Sequence, residues 1–247
     1  MRSSVLKTAF MALIIVAAAS IPARAITEIG IGLSGGMSYD PNNIEEEIAS
    51  YNSAIEAYKS ANSGTEVSPL NIPYVGILGI NIRFKIEFFL LRIGFQYLEA
   101  FLYPSMGSIK PPAGDRNTIR FNTWQISLPV SFGFLLEATR RCIFYFGGGF
   151  NTFFVNIQIT QSDPDTALGL PNDRKKEVFD TYLFGYHIFL GAEFPLIIKR
   201  LSVSAEWVFQ QGISKPVRSS KSSQKRTIDV TGNQIIFGIN YYFTIGK

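Results

Sequence analysis

Apolar and polar residues alternate along most of the chain after residue 25. Leu78, Ile80, Ile82, Phe84 and Ile86 form one series, and Asn81, Arg83, Lys85 and Glu87 the other. Leu91, Ile93, Phe95 and Tyr97 oppose Arg92, Gly94 and Gln96. Trp124, Ile126, Leu128, Val130, Phe132 and Phe134 oppose Gln125, Ser127, Ser131 and Gly133. Near the end, Ile235, Phe237, Ile239, Tyr241 and Phe243 oppose Gln234, Gly238 and Asn240. A period of two marks strands with one apolar face. The pattern predicts eight, over 26–37, 72–86, 91–103, 119–135, 142–160, 178–194, 201–211 and 227–244. The turn at 87–90 lacks Gly, Pro, Asn and Asp, but 72–103 is too long for one membrane strand. The segment 142–160 alternates poorly, because Phe144 and Phe146 stand opposite Ile143 and Tyr145, and Gly147-Gly148-Gly149 admits a bend or close strand approach.

The connections alternate in length. Segments 38–71, 104–118, 161–177 and 212–226 are long and polar, whereas 87–90, 136–141 and 195–200 are short. Long loops on one rim and tight turns on the other are the pattern of membrane barrels. An eight-stranded lumen is only wide enough for side chains to fill it, so it cannot take the whole apolar set. The expectation is an all-β, eight-stranded antiparallel up-and-down transmembrane β-barrel, with its apolar face toward lipid and both termini on the short-turn, periplasmic side. Arg83, Lys85, Arg92, His187, Glu193 and Glu206 then face the lumen. Tyr97, Tyr103, Trp124, Tyr182, Trp207, Tyr241 and Tyr242 fall near strand ends, where aromatic girdles lie. Ile82 and Phe237 face lipid and resist an arginine; Ser131 faces the lumen and tolerates one.

Residues 1–25 stand apart. Arg2 and Lys7 precede an apolar run from Phe10 to Ile21, and Ala23-Arg24-Ala25 has the form of a cleavage site. The run is too short to span a bilayer, so the expectation is a cleaved signal peptide, an exported barrel domain over 26–247 and residence in the outer membrane. Removing Arg2, Lys7 and Arg24 lowers the formal net charge from +4 to +1, and the basic balance no longer suggests nucleic acid. Only 17% of residues are charged against 47% hydrophobic, which argues against disorder. One Cys and one His leave neither a disulfide framework nor a zinc cluster. No cofactor or metal is expected.

The signal segment, the eight alternating strands, Leu128-Pro129-Val130 before Gly133 and the closing Gly238-Ile239-Asn240-Tyr241-Tyr242-Phe243 together resemble the small outer-membrane β-barrels of OmpA and OmpX type. The resemblance is architectural and covers 26–247. It implies that insertion machinery reads the C-terminal strand, although Thr244-Ile245-Gly246-Lys247 follows the aromatic Phe243 that would normally close such a chain.

Candidate chemistry is sparse. Gly30-Ile31-Gly32-Leu33-Ser34-Gly35 matches a dinucleotide fingerprint, but no helix follows to hold pyrophosphate, and small residues on a first barrel strand explain it. His187 shares its face with Glu193, and no Ser stands in a recognisable nucleophile setting, so a lumen hydrogen bond fits better than a general base. The lumen charges form either a plug of ion pairs or the lining of a narrow pore for small solutes. Ile44, Ile48, Tyr51, Ile55 and Tyr58 recur at helical spacing in the first long loop, predicting an amphipathic helix that caps the barrel or offers a partner-binding face. Lys215, Arg218, Lys221, Lys225 and Arg226 form a basic loop without acids, suited to lipopolysaccharide or host polyanions or else merely solvated. The functional expectation is a non-enzymatic structural or surface-interaction protein, with a pore as alternative and a lipid A hydrolase less favoured.

Overall fold

The computed structural model describes residues 28–39, 45–71, 74–100, 105–139, 142–162, 176–198, 200–220 and 225–244, with backbone alone at 46, 47, 138 and 139. The expected signal segment, Tyr103 and Lys221 lie outside them. In chain order the elements are β1 (Glu28–Tyr39), α1 (Glu45–Ala61), β2 (Glu66–Ser68), β3 (Tyr74–Ile86), β4 (Phe89–Glu99), β5 (Ser105–Lys110) and β6 (Asn117–Thr139). They continue with β7 (Cys142–Gln161), β8 (Lys176–Pro195), β9 (Leu201–Gly212), β10 (Lys215–Arg218), β11 (Lys225–Ile228) and β12 (Gly232–Thr244).

Eight strands close a ring. Each of β1, β3, β4, β6, β7, β8, β9 and β12 pairs antiparallel with its two neighbours, and β12 returns to β1, so the main sheet has no free edge around the barrel. The β3–β4 turn has two residues, Glu87 and Phe88. Glu87 takes a φ of 52°, the left-handed conformation that glycine usually supplies. The turn is thus made with a non-glycine residue in that conformation, so its sequence carries none of the usual signals. The last strand begins at Gly232; residues 227 and 228, expected to open it, belong instead to β11 of the β10–β11 hairpin.

Every second side chain points out. Ile31, Leu33, Leu78, Ile80, Ile82, Ile93, Phe95, Leu128, Phe132, Ile188, Leu190, Ile235, Phe237 and Ile239 are all exposed, and they form one continuous apolar belt. Tyr242 departs from the expected girdle. It lies inside, buried, one residue out of phase with the outward Tyr241 and Phe243. Gly30 and Gly32 make its place and that of Asn240. A Cβ at Gly30 would stand 2.5 Å from the Tyr242 ring, and one at Gly32 would stand 2.4 Å from Asn240 Oδ1. Gly30 and Gly32 of the fingerprint-like run are therefore packing residues.

β6, β7 and β8 run to 23, 20 and 20 residues, about twice the length a membrane strand needs. Their phase holds throughout, but the chemistry reverses. Toward the long-loop end the inward residues become apolar: Ile119 and Phe121 on β6, Phe153, Val155, Ile157 and Ile159 on β7, Phe179 and Leu183 on β8. Outward positions there become polar: Arg120, Asn122, Gln158, Thr160, Lys176 and Asp180. This reversal makes both faces of 142–160 carry apolar residues; at the start of β7, Phe144 and Phe146 face out while Tyr145 is buried in the lumen.

The apolar interior of that end is closed by α1. Ile48, Tyr51 and Ile55 are buried against it, with the Tyr51 ring edge-on to Phe121 at 5.2 Å between centroids. Val217, Ile228 and Val230 complete the same core from the β10–β11 side. Of the two roles expected for the first-loop helix, the apolar face takes the cap.

Candidate functional site

Inside the belt, all six expected lumen residues meet, in two tiers. Nearest the short turns, the buried Glu193 carboxylate accepts from Arg83 at 3.1 Å, from Lys85 at 3.1 Å and from the Tyr242 hydroxyl at 2.8 Å. Lys85 also reaches Glu28 at 3.4 Å and sits 3.7 Å above the Tyr242 ring. Arg83 Nε donates to Asn81 at 3.0 Å. Glu193 thus answers two cations and a phenol at once.

In the next tier Arg92 pairs with Glu206, donates to Ser131 Oγ at 3.3 Å and lies 4.8 Å over the Phe189 ring. Ser131 Oγ stands 2.8 Å from His187 Nε2. Sequence reasoning found no serine partner for this histidine, because the contact joins residues on β6 and β8, two strands apart across β7. The register carries the missing signal: Ser131 faces Gly149, and Gly149 faces His187. A Cβ at Gly149 would come within 2.7 Å of the imidazole, so the middle strand must carry glycine for the pair to meet. The serine is 0% exposed and the histidine 2%, so the pair lies within the lumen packing. Further toward the cap, Gln234 donates to Gln210 at 3.0 Å; beside the Glu193 tier, Asn240 donates to Ser204, the cross-strand partner of Glu193, at 3.2 Å.

These side chains fill the lumen. Between the tiers Asn81, Arg83, Arg92, Gln96, Ser204 and Glu206 line a cavity of about 20 Å³, room for a single water. At the short-turn mouth an open vestibule of about 410 Å³ ends on Lys85, Glu193 and Tyr242. Charged and amide groups are buried inside, large apolar side chains are exposed outside, and the ladder closes on itself from β12 to β1. A soluble barrel has the opposite arrangement, and only lipid accommodates this one. The chain is a transmembrane β-barrel.

Solved structures share the architecture. The barrel is similar to Neisserial surface protein A, at 9% identity over 87% of this chain and 97% of that one, with a TM-score of 0.48. It is similar to the outer membrane protein OprG from Pseudomonas aeruginosa, at 13% identity over 89% and 97% and a TM-score of 0.48. It is also similar to the attachment invasion locus protein Ail of Yersinia pestis, solved with the heparin analogue sucrose octasulfate, at 8% identity over 88% and 99% and a TM-score of 0.44. No protein-family model matches the chain, and none of the curated proteins does. The likeness is one of fold.

The basic loop does not form the single patch expected. Val217 and Arg226 are cross-strand partners on the inward face of the β10–β11 hairpin, and Arg226 is half-buried there. Arg218 and Lys225 are partners on the outward face and exposed; Lys215 is exposed at the hairpin base. The split follows from the period of two, which a run of cations in sequence conceals.

Proposed function

We propose that the chain is an outer-membrane protein, exported by its first 25 residues, with both termini periplasmic and a closed lumen, and that it acts without catalysis as a surface scaffold through its long-loop end. The observation that carries this reading is the lumen itself: two tiers of ion pairs beneath an apolar core capped by α1. Bound charge pairs of this kind resist opening, because separating either partner leaves a desolvated charge. Reconstituted in a planar bilayer, the full chain is expected to show no stepwise conductance. Regular steps would overturn the plug.

A narrow conduit for small solutes is the second reading. The vestibule favours it, since it brings solvent to within one tier of the central cavity. It requires Lys85 and Arg83 to leave Glu193 together, and Glu193→Gln would then raise conductance. A hydrolase reading rests on the Ser131–His187 contact alone. Ser131→Ala is expected to leave the acyl pattern of lipid A unchanged by mass spectrometry.

The surface role is proposed to run through the outward cations of the fourth long connection, which would meet lipopolysaccharide or a host polyanion. Binding of this type falls steeply with salt. β12, which closes the ring on β1, is proposed as the strand read by the insertion machinery.

A further inference from the structure

The outer face of β6, β7 and β8 carries two features that meet on the same strands. The first is an apolar groove of about 370 Å³ at the upper edge of the belt, lined by Ile126, Leu128, Thr152, Phe154 and Tyr182. Thr152, small and set between large neighbours, forms the dip. Trp124 packs on Phe154 at 5.1 Å, and Phe154 packs on Tyr182 at 4.8 Å, so the rim of the groove is an aromatic row of the interfacial kind.

The second feature lies directly above. Register places Arg120 beside Thr160 and Thr160 beside Lys176, so one outward row across three strands carries a cation at each end. Arg120 is four residues beyond Trp124, roughly 13 Å along the strand at about 3.3 Å per residue. The β10–β11 hairpin extends this wall where β9 stops. Ser220 N donates to Val178 O at 2.9 Å, and the Ser219 hydroxyl donates to the Glu177 carboxylate, which ties the hairpin to β8. That tether sets the outward Arg218 and Lys225 alongside Lys176 and Asp180. Asp180 accepts from the Asn156 amide. Among the described residues of this wall, four cations stand with one carboxylate, Asp180.

We propose that this face is a binding site for a phosphorylated, acylated glycolipid of the outer leaflet, with an acyl chain in the groove and phosphates on Arg120, Lys176, Arg218 and Lys225. The inference rests on the outer-membrane reading above, chooses the glycolipid over a soluble polyanion, and adds an acyl-chain groove and two cations outside the basic loop. A soluble polyanion would use the cations but has no use for the groove. A neutral lipid would use the groove but not the cations. The stacking of the two, apolar below and basic above on continuous strands, fits an amphiphile with an anionic head.

The test uses the full folded chain in detergent micelles, with bisphosphorylated lipid A, its dephosphorylated form and heparin as probes. Folding of every variant is checked by heat-modifiable gel migration. Wild type is expected to prefer the phosphorylated lipid by roughly tenfold or more, the scale of one or two charge-assisted contacts. R120S/K176S and R218S/K225S should each weaken lipid A binding several-fold. Thr152→Trp, which fills the groove, should weaken lipid A and leave heparin unchanged. Equal affinity for both lipids, or a Thr152→Trp variant that binds lipid A as wild type does, overturns the proposal. If the chain still fractionates with the outer membrane, the barrel reading survives that result; fractionation elsewhere would fail that reading instead.

Discussion

The barrel has two halves built from the same strands by opposite rules. In the membrane half, Leu128, Phe132, Ile188 and Leu190 face out while Ser131, His187 and Glu193 are buried. In the half beyond it, Phe121, Phe153, Ile157 and Phe179 are buried while Arg120, Gln158 and Lys176 face out. Register does not slip between them, as the unbroken β7–β8 pairing from Thr160 to Ile143 shows. What changes is the solvent outside. Where it is lipid, the polar residues gain by meeting one another inside; where it is water, apolar burial is the dominant favourable term. A strand pattern therefore reports the contrast between its two faces, and the identity of each face depends on depth.

The largest expected effect lies in the membrane half. Glu193→Ala leaves Arg83 and Lys85 desolvated without their shared carboxylate and should cost about 3–5 kcal/mol. Equilibrium unfolding by urea in lipid vesicles measures it. Phe121→Ala removes the ring on which Tyr51 rests and should cost a similar 3–5 kcal/mol or somewhat less, but by a different route. It opens the cap, so limited proteolysis should cut within α1 while the barrel stays resistant. Cleavage in both variants alike would mean that the halves do not hold together separately.

Arginine scanning of the outward face sharpens the boundary. Ile82→Arg should cost about 2–4 kcal/mol near the midplane, whereas Asn122→Arg, beside an existing Arg120, should stay within about 0.5 kcal/mol. Refolding yields into vesicles read both. A smaller effect is expected at the first strand: Gly30→Ala drives a methyl into the Tyr242 ring and should cost about 1–3 kcal/mol by overpacking, relieved in part by pairing it with Tyr242→Leu.

Much of the membrane half was legible from alternation, because apolar and polar residues there are cleanly segregated. All eight barrel strands and the lumen set from Arg83 to Glu206 follow from it. The upper half was not, for a physical reason: reversing the chemistry of both faces at once blurs the count of apolar residues on either one, as it does over 142–160. Ser131 shows a second limit. Its lumen position suggested tolerance, yet it is fully buried against His187 and Arg92, so an arginine there would meet like charge in a filled space. Facing was readable; crowding was not, since it depends on Gly149 in the strand between. The β10–β11 hairpin escaped because residues 227 and 228 alternate in phase with the strand that follows. Tyr242 escaped because an aromatic residue at a strand end suits a girdle equally well.

The central claim is that one face of one strand passes from water to lipid without a change of phase. Site-directed spin labelling along the outward positions of β6 tests it most directly, with Cys142 replaced by Ser and single cysteines at Arg120, Asn122, Ile126, Leu128, Val130 and Phe132 in lipid vesicles. The account predicts that labels at 120 and 122 collide with a water-soluble nickel chelate and that labels from 126 onward collide with oxygen, the crossover falling at Trp124. Uniform oxygen access along the whole row, or uniform access by the chelate, would contradict it.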